Sequence, residues 1–338
     1  MSKQFATKMS TKVAVIMPVY NKAPFLRETI LSVLNQTYSN FDLLIVDDCS
    51  TDKSLEIIEG FTDTRIKIVK NLENLGTSKT GNILFEKAKD YDYAIRCDAD
   101  DIFDLNRFDL LIQFMEQHKI IDICSSQLEY FGKQTGKVNL PLNDKEIKAR
   151  LFFTSGVSQG AAIFRMSAIN KISPPIYKNF ESNVGEDWML FVELSSKIQF
   201  ANLSQTLVKY RIHDNNVTSD KSSLIENRKF AIHFVLNEYN IPLKLENAYQ
   251  LLIGLNPNCE YSKIRIDLLQ LIKHIKQNYL ARYGNKKSIN TELKIRVRKA
   301  ICILSDKKSL QALLLLLRVP KYINYPVFKY CLINLFKK

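Results

Sequence analysis

The sequence predicts an α/β domain with a mostly parallel, Rossmann-like sheet, followed by an α-helical C-terminal region. Three observations predict it. Continuous apolar runs recur near the N-terminus, VAVIMPV at Val13–Val19 and FDLLIV at Phe41–Val46, with shorter runs at Arg65–Val69 and Tyr93–Arg96. Strands of a parallel sheet are covered on both faces, so they read as unbroken apolar stretches rather than as alternation. Helical patterns separate these runs, and strand–helix alternation at this spacing is the pattern of a parallel sheet. Beyond Ser222 the apolar residues recur at helical spacing instead.

The elements follow in order. Pro18 ends the hydrogen-bonded ladder of the first strand, because proline donates no N–H. Pro24 suits the first turn of the next helix, where Phe25, Ile30, Val33 and Leu34 supply an apolar face. The second strand ends on Asp47 and Asp48, and Ser50, Thr51 and Asp52 offer N-caps for the helix carrying Leu55, Ile57 and Ile58. Asn74–Thr77 turns into a helix reaching Ala88. A helix from Leu105 to His118, a strand from Ile121 to Tyr130, a polar turn-rich tract at Gly132–Asn143 and a strand at Val157–Phe164 continue the chain. Asn183–Leu194 reads as a loop entering an apolar helix, with Glu186 and Asp187 in its first turn, where the helix dipole favours acids.

The fourth strand opens onto Cys97, Asp98, Ala99, Asp100 and Asp101. Three carboxylates in four positions repel one another unless a cation neutralises them. A solvated turn with Asp104 capping the next helix is the plainer reading. In open α/β sheets, however, ligands bind beyond the carboxyl ends of the strands. Tyr20 with Asn21, Asp47 with Asp48, and Asp98–Asp101 all fall there. That agreement favours a site.

The net charge of +13 is unevenly spread. Residues 270–338 hold 16 Lys or Arg against 2 Asp or Glu, leaving 32 against 33 in residues 1–269. The body is neutral and the basic excess is a C-terminal feature. The six cysteines have no CxxC spacing, which suits reduced, buried thiols in a cytosolic protein. The N-terminal stretch MSKQFATKMSTK lacks an apolar leader core, and no run approaches the ~20 apolar residues of a membrane span. The reading is therefore a cytoplasmic protein.

Four blocks appear in a fixed order: VIMPVYNKAPFLRETILSVLNQTYSNFDLLIVDDCSTD, CDADD, GEDWML and YRIHDNNVTS. Together they resemble the family-2 glycosyltransferases, over about Val13 to Ser219. The resemblance implies the nucleotide-sugar-binding GT-A fold and inverting transfer from a nucleoside-diphosphate sugar, UDP being the common nucleotide of relatives. It implies that Pro18, Val19, Tyr20, Asn21 and Asp48 hold the nucleoside, with Asp47 supporting that loop. Asp98 and Ala99 should face the ribose or sugar, and Asp100 should ligate Mn²⁺ or Mg²⁺ at the donor diphosphate. Asp187 becomes the general base, Glu186 its neighbour toward the acceptor, and Arg211 and His213 approach the diphosphate or metal. Two positions depart from the family pattern. Cys49 stands where Gly is usual, and Gly81 replaces the Arg of an NxGxSxARN block, leaving Lys79 or Arg96 as the substituting cation.

The C-terminal third is read as helices at Ser222–Tyr239, Leu243–Gly254 and Tyr261–Tyr283, then shorter segments. Leu310–Arg318 and Tyr325–Lys338 mix apolar and basic residues as interfacial helices do. The expected organisation is a GT-A domain at 11–220 and a basic helical region at 221–338. The expected partners are a nucleoside-diphosphate sugar, a glycan or lipid-linked acceptor in surface polysaccharide synthesis, and an anionic membrane at the inner face of the cytoplasmic membrane. No nucleic-acid motif is present. A non-catalytic membrane scaffold and a nucleotidyltransferase are the alternatives. The second would want a Gly- and Arg-rich loop after the first strand, which Tyr20–Lys22 does not supply.

Overall fold

The computed structural model describes residues 11–178, 185–214, 216, 221–255 and 261–306, with isolated positions between 315 and 330. Strand β1 (Val13–Val19) lies between β2 (Phe41–Asp47) and β4 (Tyr93–Arg96), with β3 (Ile66–Lys70) outside β2. All three pairings are parallel. Helices α1 (Ala23–Leu34), α2 (Ser54–Glu59) and α3 (Gly76–Lys87) make the crossovers. Residues 13–17 of β1 are buried almost completely, as two covered sheet faces require.

Past β4 the sheet becomes mixed. It continues through β8 (Ile163–Arg165), β6 (Ile123–Gly132), β9 (Phe200–Ile212) and the short β5 (Ile102–Phe103), with β7 (Gly136–Val138) paired to β6. Only β6 and β9 are parallel here; the other pairs are antiparallel. Helix α4 (Arg107–Gln117) packs Phe108, Leu111, Ile112 and Met115 into the core.

Five local expectations are corrected. The ladder does not stop at Pro18: β1 pairs with β2 as far as Val19 opposite Asp47. The β4 ladder already ends at Ile16 opposite Arg96, and residues two apart face the same neighbour. The missing N–H of Pro18 therefore falls on a side with no acceptor to lose. Of the expected caps only Asp52 serves α2, its Oδ1 accepting from Ser54 N at 2.9 Å, while the N-cap Lys53 makes no side-chain bond. Ser50 and Thr51 join the two loops instead, since Asn21 donates its N–H to Ser50 Oγ and accepts through Oδ1 from Thr51 N, at 3.0 and 2.8 Å. Asp104 stands two residues before the N-cap Asn106 of α4 and accepts that residue's N–H at 2.9 Å. The strand expected at Val157–Phe164 begins as a 3₁₀ turn at Gln159–Ala161, and β8 starts at Ile163. The polar tract after Gly132 contains β7.

The chain forms two compact units. The first comprises the residues up to Leu142, Val157–Glu186 and Lys197–Lys221 and carries the sheet and α6 (Met166–Ile169). The second comprises Asn143–Gly156, Asp187–Ser196 and the residues from Ser222. It contains α5 (Asp144–Leu151), most of α7 (Glu186–Leu194), α8 (Lys221–Glu238), α9 (Glu246–Leu252), α10 (Tyr261–Tyr283) and α11 (Lys286–Asp306). Its core includes Phe152, stacked on Tyr239 at 3.7 Å and edge-on to Tyr279. Tyr249 Oη donates to Phe152 O at 2.6 Å. The stripe read from the sequence, Ile264, Leu268, Leu271, Ile272 and Ile275, is buried along α10. The shorter segments expected after Tyr283 include one long helix, α11. Leu310–Arg318 and Tyr325–Lys338 lie outside the described residues apart from single positions.

Candidate active site

The ends of β1, β2 and β4 bring three loops together. In the first, Tyr20 is 41% exposed, open to a stacking partner, while Val19 is core. Asn21 adopts φ +51 and Cys49 φ +61, left-handed conformations that asparagine tolerates and that explain why glycine suits the second position. In the second loop, Asp48 is buried and accepts from Asn71 Nδ2, Leu75 N and Gly76 N at 2.7 to 2.9 Å. Its carboxylate thus fixes the 71–76 turn and the start of α3. Asp47 Oδ2 accepts from Ser50 N at 3.1 Å. Asp47 Oδ1 is buried without a hydrogen-bond partner among the described residues.

The third loop is the carboxylate cluster. Asp100 Oδ2 accepts from Lys22 Nζ at 2.5 Å and lies 3.0 Å from His213 Nε2. Burial pushes the Asp100 carboxyl up, but Lys22 and His213 together outweigh it and hold the group below the usual carboxylate range. Asp101 is almost wholly buried and accepts from Arg211 N at 2.9 Å through Oδ1. Burial and the charges of Asp98 and Asp100 push its carboxyl well up. Asp101 thereby ties β9 to the cluster as a structural acid, whereas Asp100 is the ionised one. The methyl of Ala99 belongs to the core. The side chains of Val19 and Ala99 are both core, which leaves their backbone facing the loops.

Arg211 Nε donates to Asp100 O at 2.8 Å and Nη2 to Glu28 Oε2 at 2.6 Å. Its guanidinium lies over the rings of Phe25 and Phe131. These contacts make it a brace for the Asp100 loop. His213 is set by its N–H, which donates to Asn216 Oδ1 at 2.6 Å, and by the Phe25 ring at 4.4 Å. The structure brings together Pro18–Asn21, Asp47, Asp48, Asp98–Asp101, Arg211 and His213. Lys79 is exposed on α3.

Sequence reasoning missed Lys22 and Arg107. The first looks like any solvated loop lysine. The second is fully buried, and its Nη2 donates to Arg96 O at 2.7 Å and Gly160 O at 3.2 Å. An internal guanidinium cannot be told from a surface one by spacing in a helix.

Glu186 and Asp187 open α7, as expected, and both are half-buried. Asp187 Oδ1 accepts from Trp188 N at 2.7 Å, a capping contact. Trp188 is core, and its Nε1 donates to Leu151 O at 2.8 Å. Asp100 and His213 supply one carboxylate oxygen and one imidazole nitrogen, a donor set that suits Mg²⁺ or Mn²⁺. The Lys22 ammonium on the same oxygen shows that this position accommodates a cation. Among the described residues no larger group of His, Cys, Asp and Glu converges, so phosphates and waters would complete such a shell. Nor, among them, is any helix long and apolar enough to cross a membrane.

Comparison with known proteins accords with this arrangement. An uncharacterized glycosyltransferase of Haemophilus influenzae is 29% identical over 258 residues, covering 71% of this chain and 79% of the relative. One of Rickettsia bellii is 29% identical over 61% of this chain, but that stretch is 30% of its own length. The UDP-Glc:alpha-D-GlcNAc-diphosphoundecaprenol beta-1,3-glucosyltransferase WfgD of Escherichia coli is 26% identical over 69% of this chain and 94% of the relative. Among solved structures, S. aureus TarS 1-349 in complex with UDP-GlcNAc superposes with a TM-score of 0.56 at 17% identity, covering 96% of this chain and 90% of that one. The fold is accordingly the GT-A glycosyltransferase fold with a helical C-terminal region. The family model for Glycosyl transferase family 2 matches residues 14–173. The match takes in all but the first residue of β1 and runs through α6, and with these relatives it makes the chain a glycosyltransferase of glycosyl transferase family 2.

Proposed function

We propose that this enzyme moves a sugar from UDP-sugar to a hydroxyl of a glycan or lipid-linked acceptor in surface polysaccharide synthesis, with inversion at the anomeric carbon. The observation that carries this reading is the ionised Asp100 at the mouth of β4, shared between Lys22 and His213. WfgD, whose name specifies UDP-Glc and a diphosphoundecaprenol-linked acceptor, supports the substrate class. The PcManGT structure in complex with GDP-Man and Mn²⁺ supports metal use on this fold.

Asp100 and His213 would hold Mn²⁺ or Mg²⁺, which when bound offsets the charge growing on the leaving diphosphate. The remaining work belongs to the chain. The loop of Pro18–Asn21 seats the nucleoside, and the buried Asp47 supports that loop. Asp48 keeps the facing turn closed. Asp187 takes the proton of the acceptor hydroxyl as that oxygen attacks, and Glu186 lies beside it toward the acceptor. One displacement from the face opposite the leaving group inverts the centre and needs no covalent nucleophile. The basic excess of residues 270–338 would hold the enzyme on an anionic inner membrane face, within reach of a lipid-linked acceptor.

The test is transfer from UDP-glucose and UDP-N-acetylglucosamine to a synthetic GlcNAc-diphosphate lipid, with the product's anomeric configuration read by NMR. An inverted, chelator-sensitive product from one donor supports the proposal. A retained configuration would contradict it.

A further inference from the structure

One carboxylate oxygen in the site has two nitrogen neighbours. Lys22 Nζ lies 2.5 Å from Asp100 Oδ2, and His213 Nε2 lies 3.0 Å from the same atom. A lysine is usually solvated, and holding its long side chain in one place costs rotamer freedom. Here the Lys22 side chain is only 19% exposed and ends on a carboxylate side chain that is 9% exposed. The charge of Asp100 holds it there.

The backbone that delivers Lys22 is fixed on both sides. The N–H groups of Asn21, Lys22 and Ala23 donate in turn to Ser50 Oγ, Ser54 Oγ and Asp52 Oδ2, at 3.0, 2.8 and 3.0 Å. The Lys22 carbonyl accepts from Phe25 N and Leu26 N, both at 3.0 Å, at the first turn of α1. Asp100 is tethered as well, its carbonyl accepting from Arg211 Nε at 2.8 Å. Of the two partners the lysine, with its flexible four-carbon stem, is the one able to move away.

Asp100 cannot keep the ammonium and take a divalent ion as well, because like charges at such short range repel. Lys22 must therefore leave before a metal is held there, and a displaced ammonium in a partly buried site needs another anion. The diphosphate of the donor, which the reading above puts against this metal, is such an anion. We propose that Lys22 couples metal binding to donor binding: it competes with the metal for Asp100 until a nucleoside diphosphate arrives, then turns to the diphosphate. The proposal rests on the reading of Asp100 as a metal ligand. Lys22 acts as a positioning residue, keeping the metal weakly bound until the donor is in place. Such coupling is reciprocal, so the metal tightens the nucleotide by the factor with which the nucleotide tightens the metal.

The test is titration of the full chain with Mn²⁺, followed by the spin-resonance signal of free Mn²⁺, with and without saturating UDP. Mn²⁺ held by UDP in buffer is subtracted. Lys22→Met and Lys22→Ala should each bind Mn²⁺ alone about tenfold or more tighter than the wild-type chain, the scale of one hydrogen bond between charged groups. In saturating UDP the variants and the wild type should agree within about threefold, so the tightening by UDP shrinks by about tenfold. Calorimetry should show UDP binding in saturating Mn²⁺ weakened by that same factor. Lys22→Arg keeps the cation and should keep the weak binding of Mn²⁺ alone. A damaged fold lowers metal affinity and does not raise it, so the gain separates this role from a structural one, and melting curves check the fold. Mn²⁺ affinity unchanged or lowered in both neutral variants would overturn the proposal. So would Lys22→Arg behaving as Lys22→Met, or a wild-type affinity for Mn²⁺ that UDP leaves unchanged. Mn²⁺ held equally well by Asp100→Asn in UDP, or by no chain at all, would instead overturn the reading of Asp100 as a metal ligand, and the proposal with it.

Discussion

Asp100 is buried yet ionised, because Lys22 and His213 hold its carboxyl below the ordinary range. A carboxyl with a depressed folded-state pKa contributes stability above its unfolded value, near 3.9, and loses it as pH falls through the folded value. Without metal, the wild-type chain should therefore keep this contribution through about pH 4 and lose it below. Lys22→Met should move the loss to higher pH, which acid melting curves of the two chains would show. Asp187→Asn should lower turnover by about 10²- to 10⁴-fold with nucleotide affinity kept, as removal of a general base does. Unchanged turnover would remove Asp187 from that role. At this scale the sequence was legible where acids collect at strand ends, as at Asp47, Asp48 and Asp98–Asp101. His213 lies 113 residues from its partner Asp100, and only the resemblance linked them. Lys22 was illegible because nothing local marks a lysine that will meet a buried carboxylate.

At the scale of elements, the Gly81–Tyr177 contact joins α3 to the loop before α7. Gly81→Ala forces a Cβ to within 2.7 Å of the Tyr177 ring and should cost about 1–3 kcal/mol. Tyr177→Ala should cost stability alone yet relieve the Gly81→Ala penalty, a coupling that denaturant unfolding of the double-mutant cycle would measure. In α10, Leu268→Ala empties a fully buried position and should cost about 2–5 kcal/mol. Strands β1, β2 and β4 and the α10 stripe were legible because burial imposes their pattern directly, while the edge strand β3 has no fully buried residue. The antiparallel half of the sheet was less so. Its β8 is three residues long and enters through a 3₁₀ turn, where Gly160 answers to Asp98 rather than to a strand pattern.

For the whole molecule, the second unit draws on Asn143–Gly156 and Asp187–Ser196 as well as the C-terminal helices. Apolar periodicity marks which residues are buried, not which distant segment they are buried against. Phe152 therefore gave no sign of its Tyr239 partner. A chain cut near Ser219 would lose α8–α11 and with them the core around Phe152 and Tyr249. A cut after Asp306 removes 32 residues rich in Lys and Leu and keeps α8–α11, though it also takes away the buried Leu315, Val319 and Tyr322. The full chain should pellet with vesicles containing phosphatidylglycerol at low salt, and the chain ending at Asp306 should pellet less; equal pelleting would dismiss residues 307–338 as the anchor.

The most direct measurement is thermal unfolding of the full chain with UDP, GDP, CDP and dTDP, each in Mn²⁺ and in chelator. A nucleotide at about 100 times its dissociation constant adds about 2.7 kcal/mol, which is easily resolved. Stabilisation by UDP in Mn²⁺, lost in chelator and lost in Asp100→Asn, is the predicted result. No stabilisation by any nucleotide with Mn²⁺ present, or an undiminished UDP effect in Asp100→Asn, would contradict the account.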